Sequence, residues 1–218
     1  MVKPAASPKP ARKKRGQGRP IPGENDVGRE RLLDATETLL RSFAPSRVTI
    51  ARVAREAHVD TALVHYYFGN RTALLLAVIE RVTGHEVQSA RTTDDPVVEL
   101  ADHIRRTVRF VRSASFMHRL VIEELAQAGT EASRARVRTM NLDLVNFYRE
   151  LLRGDRGREL VSTDPLLLHL TVLGASDFFA SAQPLIRELV PVGTDMEKLT
   201  ARFQKFLVTL ILDGLRKR

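Results

Sequence analysis

Cysteine is absent from this chain. That excludes disulfides, iron–sulfur clusters, thiol nucleophiles and thiolate zinc sites. With 218 residues the chain is long enough to bury a core without such staples. Long apolar runs are missing too: none approaches the ~18–20 residues that span a bilayer. No hydrophobic segment follows the basic N-terminus, so it does not read as a secretory signal. These absences fit a cytoplasmic protein with no membrane partner. Signs of chemistry are equally sparse. His58, His65, His85, His103, His118 and His169 include no pair at i, i+4 and no metal-ligand spacing. There is no glycine-rich phosphate loop, and Gly174-Ala175-Ser176 lacks the second glycine of a nucleophile elbow. No catalytic residue, metal or cofactor is assigned, and an enzyme is a poor reading.

What is present is positive charge, unevenly placed. The formal net charge is +9. Residues 1–23 hold Lys3, Lys9, Arg12, Lys13, Lys14, Arg15 and Arg19 with no acid, and five of the ten prolines. The remaining residues carry an excess of only two positive charges. Too few apolar groups stand in residues 1–24 to offset the entropy of ordering, so this segment reads as a disordered arm. Such an arm suits a polyanion, or it serves as a solubilising tail. Gly18-Arg19-Pro20 after Lys13-Lys14-Arg15 resembles a degenerate AT-hook, with Gln17 interrupting the usual core.

The rest of the chain reads as all-α, with about nine helices. Leu32, Ala35, Leu39 and Phe43 form the stripe of a first helix. Thr49 is a cap for a second, whose Ile50, Val53, Ala54 and Ala57 share one face. His58-Val59 makes a turn, Asp60 caps a third helix to about Tyr67, and Asn70 caps a fourth. Asp95-Pro96 and Asp164-Pro165 each place a capping acid before a proline at the first helical position. Thr194-Asp195-Met196-Glu197 reads as a capping box and Gly214 as the close of the last helix. Further helices are expected near 96–112, 116–128, 131–152 and 165–182.

The two short helices at 49–57 and 60–67 fit a helix-turn-helix. With Val64 and Phe68 inward, Ala62, Leu63, His65 and Tyr66 point outward, and Thr61 stands at the tip. A helix facing only water would carry Lys and Glu. This face suits the major groove, where Ala or Leu meets a thymine methyl and hydroxyl or imidazole groups meet base edges. The alternative at this point is that the tyrosines pack on a neighbouring helix and the corner binds protein.

From Arg29 to Glu80 the chain runs Arg-Glu-Arg-Leu-Leu-Asp-Ala, then Val-Thr-Ile-Ala-Arg-Val-Ala-Arg-Glu-Ala-His-Val, then Leu-Val-His-Tyr-Tyr-Phe-Gly-Asn-Arg-Thr-Ala-Leu-Leu. This stretch resembles, without gaps, the DNA-binding domain of the tetracycline-repressor (TetR) family. The later chain resembles the family in length, in helical character, and in Asp164-Pro165 and Phe178-Phe179 before Gln183-Pro184. The resemblance implies a homodimeric transcription regulator, most often a repressor released from a palindromic operator by a small ligand. An activator or a ligand-independent regulator is the alternative within that class; a helical protein-interaction module is the alternative outside it. It further implies a helix-turn-helix domain at 25–72, a fourth-helix linker to about 92, and a ligand-binding and dimerisation domain at 93–218. By position Thr61, Ala62, Leu63, His65 and Tyr66 would face bases, and Thr49, Tyr67 and Arg71 would touch phosphate. Lys13, Lys14, Arg15 and Arg19 would supply arm contacts. Three positions depart from the family pattern: His58 replaces a turn glycine, His65 a tyrosine, and Leu63 a small or hydroxyl residue. Residues 24–72 carry seven Arg and seven Asp or Glu, so the reading head is neutral and the arm holds the charge.

The resemblance requires a joining surface and a pocket. Phe178, Phe179, Phe203, Phe206 and Leu210, on helices apolar nearly all round, are candidates for a dimer interface; an intrachain core would use them as well. Phe110, Phe116, Met117, Met140, Phe147 and Tyr148 are candidates for lining a pocket, with the same alternative. Arg105, Arg109, His103 and His118 could meet an anionic ligand or face water. Binding to DNA places the protein at the nucleoid.

Overall fold

A computed structural model describes residues 24–87, 93–122, 130–153 and 160–216. The arm candidates Lys13, Lys14, Arg15 and Arg19 lie outside the described residues, as do residues 123–129 of the helix expected over 116–128. The elements in order are α1 (Glu24–Ser42), a 3-10 turn (Pro45–Arg47), α2 (Ile50–Glu56), α3 (Thr61–Phe68), α4 (Arg71–Val87), α5 (Pro96–Ser113), α6 (Met117–Arg119), α7 (Glu131–Leu151), α8 (Pro165–Ser181), α9 (Gln183–Leu189) and α10 (Met196–Leu215). The β pairing among the described residues is an isolated antiparallel bridge between Leu160 and Arg216.

Local chemistry explains most boundaries. Thr49 accepts a hydrogen bond from the Arg52 amide, Asp60 from Ala62, Asp95 from Val97 and Val98, and Asp164 from Leu166. Each satisfies an orphan amide of a helix first turn. Asn70 does the same for Ala73 at the start of α4. Two expectations are corrected. The cap of α10 is Asp195 rather than Thr194, whose hydroxyl bonds the Pro191 carbonyl instead. Glu197 does not reach back to the cap, because its carboxylate forms a bidentate pair with Arg112 of α5. Nor does Gly214 close α10, which runs to Leu215. The helix α9 was not expected: the chain turns at Ala182 and restarts with Pro184 in its first turn. No single helix among the described residues is long and apolar enough to cross a membrane, and α8 and α9 meet at a bend of 72°.

Two apolar clusters organise the molecule. The first joins Leu32, Leu33, Leu39 and Leu40 of α1 to Val53 and Ala54 of α2, Val64 of α3, and Leu74, Leu75, Val78 and Ile79 of α4. Ala114, Phe116, Leu120 and Val137 extend it beyond the head. The second packs Leu100, Ile104 and Val108 of α5 against Tyr148 and Leu151 of α7, Leu168 and Val172 of α8, and Leu207, Val208 and Ile211 of α10. Helix α4 therefore belongs to the head by its first turns and reaches the body by its later ones. Glu80 of α4 pairs with Arg136 of α7 at 2.7 Å. Arg41 of α1 donates to the Ser113 carbonyl at the end of α5 and lies over the Phe116 ring.

Candidate nucleic-acid interface and effector cavity

Helix α3 presents the face the sequence predicts, with one change. Val64 is fully buried, while Thr61, Ala62, His65 and Tyr66 are exposed, Tyr66 to 64%. Leu63 is half-buried and packs against the head cluster, so it offers only part of its side chain to a groove. His65 places Nδ1 2.9 Å from the Gly69 carbonyl oxygen. A carbonyl only accepts, so Nδ1 carries the proton and the neutral ring keeps Nε2 as an acceptor. In a major groove such an acceptor matches the exocyclic amines of cytosine and adenine.

The turn before α3 carries strain. His58 has φ +54°, the left-handed region in which the family pattern places glycine. Asp60 then restarts the helix, and Gly69, at φ +74°, ends it.

The three residues expected at phosphates have different surroundings. Thr49 is exposed at the start of α2. Tyr67 is half-buried, edge-on to Tyr66 at 5.0 Å between ring centroids. A Cβ on Gly28 would come within 3.0 Å of its hydroxyl, so the bare glycine of α1 admits the ring. Arg71 points inward rather than out. Its Nε donates to the Val48 carbonyl at 2.8 Å and a terminal nitrogen donates to the Pro45 carbonyl. Part-buried, it clamps the loop between α1 and α2, adding to the Val48 amide that the Pro45 carbonyl already accepts at 2.9 Å. On the opposite side of the head, Arg81 of α4 ties to Asp34 at 2.6 Å, Glu37 at 2.8 Å and Glu30 at 3.3 Å, all on α1.

A cavity of about 210 Å³ opens between α4, α5, α7 and α8. Of the expected lining residues, Phe110, Phe147 and Tyr148 stand in its wall. Phe116, Met117 and Met140 do not: they pack into the first cluster where the head meets the body. The sequence reading missed Thr83, Arg106, Thr107, Asp143, Leu144, His169 and Leu173, which complete the wall. Arg106 lies three residues after His103 and four before Phe110, on the face those two share, which was the available signal for it, but nothing local marks Thr83. His103 is in the wall, yet not as a cation. Burial pushes its pKa down to about 4, helped by the nearby Arg106. Its ring lies 4.4 Å from Phe147 and 5.0 Å from Tyr148, centroid to centroid. Arg106 is bonded to the buried Glu99 at 2.8 Å. Of the other suggested anion partners, Arg105 pairs with Asp102 at 2.6 Å and His118 with Asp177 at 3.2 Å, while Arg109 is exposed.

The candidate dimer residues divide by helical phase. Phe178 and Phe179 are neighbours about 100° apart on α8, and they face different surroundings. Phe178 is 63% exposed, whereas Phe179 is buried and stacked on Phe203 of α10 at 4.1 Å. Phe206 and Leu210 are exposed to 63% and 57%. With Leu166, Leu167 and Leu170, they leave an apolar surface on α8 and α10 that the described residues do not cover.

Comparison with known proteins gives these features a frame. A family model described as bacterial regulatory proteins, tetR family, matches residues 32–78. A second, tetracyclin repressor-like, C-terminal domain, matches residues 96–211. The HTH-type transcriptional repressor NicS of Pseudomonas putida is 21% identical over 199 residues, 88% of this chain and 94% of that one. Among solved structures, NalD, the secondary repressor of the MexAB-OprM multidrug efflux pump in Pseudomonas aeruginosa, superposes with TM-score 0.62 at 17% identity, covering 88% of this chain and 98% of NalD. AibR, crystallised with isovaleryl coenzyme A and operator DNA, gives 0.64 at 15%, covering 83% and 97%.

Proposed function

The chain belongs to the tetR family of bacterial regulatory proteins, and from that premise we propose a cytoplasmic homodimeric repressor that a small molecule releases from its operator. The observation that carries the ligand-responsive part is the double membership of α4. Leu74, Leu75, Val78 and Ile79 build it into the head, and Thr83, one turn further, lines the cavity. A ligand that shifts α4 shifts the reading helix with it, since α3 packs on α4 through the same cluster. Such a ligand acts only by its difference in affinity between the operator-bound and released arrangements. NicS and NalD are named as repressors, and AibR was crystallised with both a small molecule and operator DNA, which supports a DNA-binding repressor with an effector site here.

Thr61, Ala62, His65 and Tyr66 would read base edges, with Leu63 contributing a flank. Thr49 and Tyr67 would contact phosphate. The uncovered surface of α8 and α10, centred on Phe178, Phe206 and Leu210, would join two copies and set the heads about one helical turn apart, ~34–36 Å. The basic residues of the arm, Lys13, Lys14, Arg15 and Arg19, would supply the sequence-independent attraction that the neutral head lacks. Selection from a random DNA library with the full chain tests the proposal. An imperfect palindrome should emerge, bound with affinity that falls steeply as salt rises. Enrichment of no sequence, or salt-independent retention, would instead favour a protein-binding module.

A further inference from the structure

The cavity wall is apolar along Phe110, Leu144, Phe147 and Leu173, and among its polar residues Tyr148 and His169 each carry a buried atom without a partner. The hydroxyl of Tyr148 and Nε2 of His169 are buried and have no hydrogen-bond partner among the described residues. Tyr148 is wholly buried and His169 is 5% exposed. Buried polar atoms are costly without a partner, and a native fold seldom keeps two side by side. Their rings lie 5.9 Å apart, centroid to centroid, which puts the two groups in one neighbourhood.

The charge balance of the wall narrows that group. Arg106 is the cation among the described lining residues, and Glu99 already neutralises it. His103 and His169 are held neutral by burial. Asp143 is exposed, so it screens poorly for a buried cation. An anion would enter with no free positive charge, and an ammonium with no buried negative one; either loses its hydration uncompensated. Size sets the other limit. About 150 Å³ suffices for benzene in an engineered cavity, and this one measures about 210 Å³. The enclosed part holds one substituted ring or a short chain.

We propose that the cavity takes a small uncharged molecule, anchored by a hydroxyl or carbonyl group between Tyr148 and His169; this deepens, and rests on, the reading of the chain as an effector-responsive regulator.

Four probes of similar size test it by calorimetric titration of the full chain: 4-methylbenzyl alcohol, 4-ethyltoluene, 4-methylbenzoate and 4-methylbenzylamine. The alcohol should bind about 3- to 10-fold tighter than the hydrocarbon, the worth of one neutral hydrogen bond. It should exceed both charged probes by about tenfold or more on the cost of burying their charge. Tyr148→Phe should erase the gap between alcohol and hydrocarbon, and without ligand should melt no lower than the wild type. Tighter binding of the carboxylate or the amine, a gap that survives Tyr148→Phe, a clear fall in its melting temperature, or no binding of any probe would each overturn the proposal. Operator anisotropy run in parallel separates the two readings. If the carboxylate binds and releases DNA, the regulator stands and the uncharged-ligand proposal falls. If no operator is bound at all, the regulator reading falls, whatever the cavity holds.

Discussion

Tyr66 and Val64 sit two residues apart on α3 and do opposite things. Tyr66 is mostly exposed and Val64 is fully buried in the head cluster. Tyr66→Ala should weaken operator binding by roughly tenfold, the lower range for one lost base contact, and leave the melting temperature within about a degree or two. Val64→Ala should cost about 2 kcal/mol of stability, two methyl groups plus the space they leave. Denaturant titration and DNA anisotropy on both variants check the pair; a Tyr66→Ala protein with lowered stability and unaltered affinity would mean that α3 turns the other face to DNA. His58 offers a gain in place of a loss. Its left-handed φ of +54° costs a side chain about 1–2 kcal/mol, against roughly 0.5–1 kcal/mol of extra chain entropy that glycine loses on folding. His58→Gly should therefore stabilise the protein by up to about 1 kcal/mol, seen as a higher urea midpoint with an unchanged slope.

Among the elements, the loop between α1 and α2 depends on one side chain from α4. Arg71 holds the Pro45 and Val48 carbonyls from below. Its planar fork reaches both at once, which a lysine ammonium cannot imitate. Arg71→Lys should lower stability by about 1–2 kcal/mol, within the range for hydrogen bonds to a charged group, and lower operator affinity with it, because α2 loses its seat against α3. A direct phosphate contact would give another result, since lysine keeps the charge and would retain binding at normal stability. Melting curves and affinities of Arg71→Lys and Arg71→Ala decide between these. The ties of Arg81 to three α1 carboxylates and of Arg41 to the end of α5 hold the same elements from other sides. Ties near the surface contribute little each; the value of these is in fixing how α1 sits on α4 and on the end of α5.

For the whole molecule the first quantity is the number of chains. Phe178, Phe206 and Leu210 stand largely exposed on α8 and α10, the kind of apolar surface that a partner covers. Phe206→Glu should yield monomers by sedimentation, since an unpaired charge is not tolerated in an apolar joint. Operator affinity should fall although the head is untouched. Phe203→Glu should instead damage the protomer itself, because its ring stacks on Phe179 within one chain. The second quantity is stability against pH. His103 titrates near 4 in the folded protein and near its ordinary 6.5 when unfolded, and His169 is shifted the same way by burial. Between these values the unfolded chain binds more protons, so folding stability rises with pH. It is fully present above about pH 6.5 and is lost as pH falls toward 4, by at most about 3 kcal/mol for His103. Urea midpoints at pH 7.5 and 5 should show this decline, and His103→Gln should flatten it.

The sequence by itself determined what neighbours along the chain decide. Asp60, Asp95 and Asp164 cap their own helices, Val64 falls inward by helical period, and the run from Arg29 to Glu80 identified the reading head. Each of these depends on groups a few residues apart, whose geometry a helix sets without outside help. Only the tertiary structure decided what lies across from each face. It sent Phe116, Met117 and Met140 to the junction of head and body, while Arg106 and His169 entered the cavity wall. It turned Arg71 onto a loop more than twenty residues upstream, and it drew Glu197 away from its own helix start to Arg112. It also split Phe178 from Phe179, one toward solvent and one onto Phe203. Helical periodicity gives a side chain its direction around one axis, but the partner waiting in that direction belongs to another helix, and its position follows from how all the helices pack together.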